Sequence, residues 1–524
     1  MNYADLFRAT LPETALEVAA LMVLLVDLGL LRKASQMLRT VVAALLGVAG
    51  CTAAVWAMWA TGAPSFSVGD STLLGQGGFI GAAQAGILLL TALTLLLLID
   101  SDFTTHVGEF VAVVLMSASG GLLIAAAQDL LVIFIGLELL SLGLYILTAF
   151  AKSSAKSAEA AMKYYLFGGM SAAFLLFGFS YIYGLTGSTN IQWIQTVIAT
   201  TGSSPLLYVA WILIVAGLGF KVAAVPFHLW APDTYEGAPA PAAAFIASVS
   251  KVASFTLLLT ISFNWLTPGL LLGSASRQAV DDYLKGYYGA WPQVAVVLLV
   301  VAAASMIVGN LAALAQVSVR RLLAYSAIAH AGYVLLGIGV IPRLAANVRP
   351  SSFFLSTLGE TQLRGEAVLF YVLTYGLTTI GAFGVVGVVE RATGSDKLDS
   401  FLGLHKRNPL LAAVLLILFL SLAGIPPLVG FWAKFNLFAA VLGVSAGPVP
   451  FALVALAIAL SAVSLYYYLQ VLKRAYVMKA VDETPIRVHP VTMFVLLSIA
   501  AAVVVLGCFP ALLQNWISSF YLLN

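Results

Sequence analysis

The chain has 524 residues, of which 61% are hydrophobic and only 9% charged, against about 25% charged in a soluble domain. The net charge of +3 and the scattered Lys and Arg residues exclude a nucleic-acid surface, which needs clustered basic groups. A mean hydropathy of +1.03 reads as a polytopic membrane protein.

The N-terminal stretch MNYADLFRATLPETALEV is acidic and lacks the basic n-region of a cleavable signal, so the first apolar run is expected to stay as a helix. Runs of about 17–25 apolar residues are candidate membrane spans. Fourteen follow in order: 13–31, 40–61, 79–99, 108–126, 130–150, 161–185, 206–229, 239–263, 291–314, 322–342, 366–390, 409–440, 449–472 and 490–515. The seventh carries Gly217, Gly219 and Pro226 around Lys221. The twelfth is too long for one straight pass and holds Gly424, Pro426, Pro427 and Gly430. Both are expected to be broken, which is tolerated at membrane depth where neighbours or water satisfy the freed backbone groups. The longest outer loops, roughly 264–290 and 343–365, are polar enough for surface hairpins or short helices. Cys51 and Cys508 lie in apolar helices and form no disulfide or metal pattern.

Loop charge sets the orientation. With the loops after odd-numbered spans on one side, that side holds sixteen Lys and Arg residues and the other six. Cytoplasmic loops carry the Lys/Arg excess, so both termini are expected to face outward, in the periplasm if the membrane is a bacterial inner membrane.

The remaining three basic residues lie inside spans: Lys221, Lys251 and Lys434. A charge at a helix centre costs about 2.5–3.5 kcal/mol on an insertion scale, and intramembrane charges mark ion pathways, proton relays and substrate sites. Glu138 in the fifth span is a fourth. Spans four to eight and nine to thirteen look like two copies of one unit, inverted because they are offset by five helices, with Lys221 and Lys434 in corresponding broken helices. Glu138 corresponds to the neighbourhood of His330 in the tenth. Inverted repeats with interrupted helices at matching places point to a site near the midplane. The expected architecture is an all-α polytopic membrane protein. Residues 1–107 hold spans one to three, 108–263 the first repeat, 264–474 the second and 475–524 the last span.

Three motif blocks, LGFKVAAVPFHLWAPDTYEGAPAPAAAFIASVSK (218–251), RLLAYSAIAHAGY (321–333) and SLAGIPPLVGFWAKF (421–435), resemble the antiporter-like subunits of respiratory complex I. Within that family AMKYYLFGGMSAAFLLFGFSYIYGLTGS (161–188) looks most like the NuoN type, related to the NdhB type. The superfamily also includes Mrp-type cation/proton antiporter and membrane-bound hydrogenase subunits. The resemblance implies a core of 14 helices, inverted five-helix units, broken seventh and twelfth helices, and a mid-membrane row of proton-carrying charges. Glu138, Lys221, Lys251 and Lys434 match the family's glutamate and lysines, with His228 and His330 on the same polar axis. Ala231, where many relatives have leucine, is one departure and touches nothing catalytic.

Glu138 and Lys221 are expected to form an ion pair, because opposite charges favour each other's charged form while burial opposes it. A buried lysine brought near neutrality takes and releases protons; the bland alternative is a pair that fixes helix packing. Lys251 is the middle relay and Lys434 the outlet, each weighed against a lysine snorkelling to an interface. His228 and His330 titrate near neutrality, though a lone histidine in an apolar helix is more often a hydrogen-bonded core residue. Lys163 is either a second partner for the Glu138 region or a positive-inside anchor. Asp233 and Glu236 are expected to order a Pro/Gly-rich turn and cap the eighth helix, with proton uptake as the alternative. Asp102 and Asp129 read as helix-end carboxylates, and Glu17 and Asp27 rank low because the first span lies outside the repeat.

No Gly-rich nucleotide fingerprint, Walker pattern or cysteine cluster for an iron–sulfur centre occurs, so no cofactor is expected in this chain. The resemblance places quinone, NADH, FMN and iron–sulfur clusters in partner subunits. Expected partners are the other complex I membrane and peripheral-arm subunits, another antiporter-like subunit among them, and membrane lipids. The function implied is proton translocation within NADH:quinone oxidoreductase; the competing reading is an Mrp-type Na+/H+ antiporter subunit.

Overall fold

The structure is a computed structural model and describes residues 3–61, 65–68, 71–75, 77–201, 204–266, 277–340, 350–444, 447–480 and 483–522. It opens with α1 (Tyr3–Ala9) and α2 (Leu11–Leu25), which runs on as a π-helical turn, Val26–Leu30. Next come α3 (Gln36–Thr61), a hairpin of β1 (Phe66–Val68) and β2 (Ser71–Leu74), α4 (Gly78–Leu97), α5 (Val107–Ala126), α6 (Leu130–Thr148) and α7 (Ala155–Thr186). The middle of the chain forms α8 (Ile191–Thr201), α9 (Pro205–Val222), α10 (Trp230–Gly237), α11 (Ala240–Leu266), α12 (Arg277–Leu314), α13 (Val319–Gly339) and α14 (Pro350–Thr393). It closes with α15 (Leu404–Arg407), α16 (Pro409–Ala423), α17 (Val429–Val444), α18 (Pro448–Tyr476), α19 (Pro490–Cys508) and α20 (Ala511–Leu522).

Twelve described helices are long and apolar enough to cross a membrane. The two further expected spans are α2 with its π turn and the pair α16/α17, the twelfth span cut in two. The last span is shorter than expected. It stops at Cys508, and Pro510, which has no N–H to continue the ladder, precedes the separate α20. The outer loops are also shorter, because α11 reaches Leu266, α12 begins at Arg277 and α14 at Pro350. The rest of those loops, 267–276 and 341–349, lies outside the described residues. The hairpin appears instead between the second and third spans, with Phe66 opposite Leu74.

Local chemistry sets the helix starts. Asp129, Ser154, Ser204, Ser318 and Asn408 each accept a backbone N–H from the first turn they precede, using a donor the helix leaves orphaned. Pro205 and Pro409 occupy the first helical position, where a missing N–H costs nothing. Helices α5 and α6 approach closely at Gly120, where a Cβ would lie 2.5 Å from Leu140 N. Helix α11 is the axis of the bundle: the apolar window in Ala240–Ser262 is 100% buried, against 22% for that of α18 at the periphery.

Candidate functional site: a row of buried lysines on broken helices

An α-helix leaves its last carbonyls without intrahelical partners. The two breaks leave such ends inside the bundle. Helix α9 stops at Val222, where Ala223 takes the left-handed conformation (φ +59°), and Ala224 N–H returns to Gly219 O at 2.8 Å. Helix α16 stops at Ala423, where Gly424 has φ +87° and Ile425 N–H returns to Leu420 O at 3.0 Å. Both are Schellman-type closures, which satisfy the earlier carbonyls of the last turn. Trp230 Nε1 donates to Phe220 O at 2.9 Å.

The last carbonyls are taken by lysines. Lys251 on α11, 2% exposed, donates to Val222 O at 3.0 Å and to Ala327 O of α13 at 3.1 Å. Lys434 on α17, 6% exposed, donates to Leu422 O at 3.1 Å, Ala423 O at 2.9 Å and Ser461 Oγ of α18 at 2.7 Å. A cation at a helix C-terminus meets the negative end of the macrodipole, so each break pre-forms a main-chain cradle for an ammonium group. Lys434 also lies 5.6 Å from the Tyr333 ring centroid.

Lys221 sits in the last turn of α9 and is buried. The expected ion pair with Glu138 is absent: no carboxylate oxygen of Glu138 lies within 4.0 Å of a described basic group. Lys221 Nζ donates instead to Ser141 Oγ, whose hydroxyl donates to Leu137 O. Ser141 follows Glu138 by three residues and so shares its face of α6, and the hydroxyl stands where the carboxylate was expected. Phe220 and Tyr145 flank the ammonium, with centroids at 5.6 and 6.0 Å. Glu138 itself is half-buried.

His330 is buried on α13 between Lys251 and Lys434. Its Nδ1 lies 2.7 Å from Tyr371 Oη, and its ring packs against Tyr375 (4.8 Å between centroids) and Tyr333 (5.7 Å). Beside it a cavity of about 10 Å³ is lined by His330, Tyr371, Ser421 and Gly430, about the volume that admits one water. Asn310 extends the network, donating to Tyr333 Oη at 3.1 Å and accepting from Tyr467 Oη at 3.3 Å. His228 is not joined to this row. It lies in the turn after the α9 break, half-buried, with Nδ1 buried and unpartnered, and no described hydrogen bond links it to the lysines or His330.

Lys163 does not approach Glu138. It pairs with Asp233 (2.8 Å) and Glu159 (2.7 Å), while Arg321 pairs with Asp233 (2.6 Å) and Glu236 (3.1 Å), and Lys156 with Glu236 (2.9 Å). Asp233 and Glu236 therefore do not form a bare turn; they lie within α10 and tie it to α7 and α13. Burial pushes both carboxyls up, but the hydrogen bonds from Lys163 and Arg321 to Asp233, and from Lys156 and Arg321 to Glu236, outweigh it and hold both below their ordinary range. Arg320 pairs with Glu390 at 2.5 Å and Arg391 with Asp100. These contacts join the segments that follow the third, fifth, seventh, ninth and eleventh spans, as loops on one membrane side must be joined. They border a cavity of about 310 Å³ lined by Asp100, Glu236, Arg320, Glu390, Arg391 and Thr492 among others. Arg320 Nε and Thr492 Oγ1 are buried without protein partners, and both residues line this cavity, which has room for water.

Outside the row, Asp129 caps α6, and Glu17 accepts from Ser119 Oγ at 3.3 Å. Asp27, 1% exposed in the π turn, takes both Nε and Nη2 of Arg39 at 2.7 Å and the Gly108 N–H at 3.2 Å. Sequence reading missed Ser141, Ser461, Tyr371 and Asn310. A hydroxyl or amide in an apolar helix normally bonds to its own backbone, so no residue-level signal marked them.

The chain matches the family described as NADH:quinone oxidoreductase/Mrp antiporter, TM, over residues 127–272, 283–348 and 351–462. It is 46% identical to NADH-quinone oxidoreductase subunit N 2 of Acidobacterium capsulatum over 99% of both chains. Identity is 40% to NADH-quinone oxidoreductase subunit N 1 of Roseiflexus castenholzii, over 87% of this chain and 80% of the relative. A chain of respiratory complex I from Thermus thermophilus with bound aureothin superposes with a TM-score of 0.72 at 30% identity, covering 96% of this chain and 98% of that one. A chain of the Mrp complex from Dietzia sp. superposes at 0.73 with 20% identity, a likeness of fold alone. The family match and these relatives show that the chain belongs to the NADH:quinone oxidoreductase/Mrp antiporter membrane family, among its subunit N members.

Proposed function

We propose that this chain is the proton-translocating N-type membrane subunit of an NADH:quinone oxidoreductase and that protons pass along Glu138, Lys221, Lys251, His330 and Lys434. The observation that carries the reading is the seating of Lys251 and Lys434 on main-chain carbonyls at two helix breaks. Each amine is buried, each is bonded in place, and a tyrosine–histidine network lies between them. Lys221 parked on Ser141 rather than on Glu138 is one state of the first pair; transfer brings the two together. His228 and Lys163 stand off this row, His228 at the mouth of the first break and Lys163 in the ion-pair belt. Moving one charge against 100 mV costs about 2.3 kcal/mol. Quinone reduction in partner subunits supplies it, with NADH, FMN, iron–sulfur clusters and quinone held there. A neighbouring antiporter-like subunit and lipids cover the apolar flanks. The basic loops face the cytoplasm of a bacterial inner membrane and both termini face the periplasm.

Lys221→Ala in the assembled complex tests the relay. Proton pumping per NADH oxidised falls while uncoupled quinone reduction continues. Full pumping with normal assembly removes Lys221 from the path.

A further inference from the structure

The three lysines differ in what they can donate to. Lys221 has one described acceptor, the Ser141 hydroxyl; Lys251 has two carbonyls; Lys434 has two carbonyls and the Ser461 hydroxyl. An ammonium has three N–H donors and no acceptor, whereas a neutral amine has two donors and a lone pair. Carbonyl oxygens can only accept, so at Lys434 the two carbonyls serve either form equally. Only the third partner must change role, and a hydroxyl is the group able to do so.

We propose that Ser461 is a positioning residue for Lys434, a hydroxyl that reverses direction with the proton and keeps the amine on its cradle in both states. When Lys434 is an ammonium, Ser461 Oγ accepts its third N–H at 2.7 Å, and the serine's own hydrogen points toward Ala423 O at 3.4 Å. When the proton leaves on water, the nitrogen keeps two N–H bonds, to Leu422 O and Ala423 O. The Ser461 O–H then turns to donate into the new lone pair. One proton departs to a water that reaches the N–H turned toward Ser461, and no buried donor or acceptor is orphaned before or after the step. The inference rests on the proposed relay and deepens it, because a lysine that titrates in place needs no helix movement at this step.

The surroundings leave the serine this role. Helices α16 and α19 carry no acidic, basic or histidine side chain within Pro409–Ala423 and Pro490–Cys508. From α13, His330 and Tyr333 face Lys434, and from α14, Tyr371 and Tyr375 face it through His330. On α18, Tyr467 and Tyr468 are engaged with Asn310 and Ser326, and Ser464 Oγ donates to Ser461 O at 2.6 Å. Among the described residues of these helices, no carboxylate is recorded against the amine to replace the hydroxyl.

The test is the pH profile of NADH-driven proton pumping by the complete complex in sealed membrane vesicles. Ser461→Ala removes an acceptor from the charged form. It also removes the donor to the neutral form, but the bond to the charged form is the stronger of the two, so the alkaline limb of pumping moves about one pH unit lower. Quinone reduction in uncoupled vesicles keeps its parental profile. Ser461→Thr, which retains the hydroxyl, restores the parental limb. If the alanine variant fails to assemble, Ser461→Cys, whose thiol is a weak acceptor, carries the same test. A Ser461→Ala or Ser461→Cys profile superimposed on the parental one overturns the proposal, as does lowered stability with the limb unmoved. Lys434→Ala separates the two ideas. If it pumps normally the relay reading fails; if it abolishes pumping while Ser461→Ala leaves the limb in place, only the serine's role fails.

Discussion

Replacing Gly424 by alanine combines two costs at one position. Gly424 has φ +87°, a region where an L-residue is strained by roughly 1–2 kcal/mol. The new Cβ would lie 3.0 Å from Lys434 Cδ and 3.1 Å from its Nζ, so the lysine must shift by a few tenths of an ångström against its carbonyl partners. A full charge-assisted bond is worth about 1.5–3 kcal/mol, so the total runs from about 1 kcal/mol, if the shift keeps the bonds, to an upper bound of about 5 kcal/mol if it breaks one. Gly424→Asn divides this sum. Asparagine tolerates the left-handed conformation but still carries a Cβ, so it recovers the backbone part and not the lysine's displacement. The assay pairs pumping per NADH oxidised with the temperature at which this subunit leaves the detergent-solubilised complex. Alanine is expected to lower both, and asparagine to recover most of the dissociation temperature while pumping stays impaired. Parental pumping in Gly424→Asn would refute the idea that the glycine exists to let Lys434 fold back over the break.

Asp27→Ala orphans Arg39 and the Gly108 N–H at a site where the carboxylate is 1% exposed. Arg39 is part-exposed, so the loss is that of a charge-assisted hydrogen bond, about 1.5–3 kcal/mol; immunoblots of membranes should show several-fold less assembled subunit, and parental levels would contradict the packing role. The belt around α10 makes an acid-side prediction. Asp233 and Glu236 are held below their ordinary values in the folded chain. Their stabilisation is therefore fully present above the unfolded values near about 4 and is lost as pH falls through the folded ones. Dissociation temperatures measured from pH 6 down to pH 3 should drop on the acid side, and less steeply in Asp233→Asn. A slope unchanged by that substitution would show that other groups govern acid lability.

The spans and both breaks were legible because the physics that sets them is written in residue types: apolar runs of membrane length, and Gly and Pro clusters that no straight helix keeps. The three lysines announced themselves by their cost. Their partners did not. Nothing in the sequence says that Lys251 reaches Val222 O, since an acceptor made of main chain has no residue signature. The Glu138–Lys221 expectation failed for a related reason. Glu138 and Ser141 share a face of α6, and charge alone favoured the glutamate where the structure seats the lysine on the hydroxyl. Lys163 was pulled the other way, because Asp233 lies seventy residues on and only α10 brings it close.

The main-chain cradles also set what mutagenesis can see. Val222, Ala327, Leu422 and Ala423 give their carbonyls to Lys251 and Lys434, and no exchange of their side chains removes an oxygen. An alanine scan would score these four as bystanders, two of them being alanine already, and would credit the lysines alone. The half of the site that is backbone answers only to changes in chain direction, which is why the break residues, not the acceptors, are where inherited variation would disturb it.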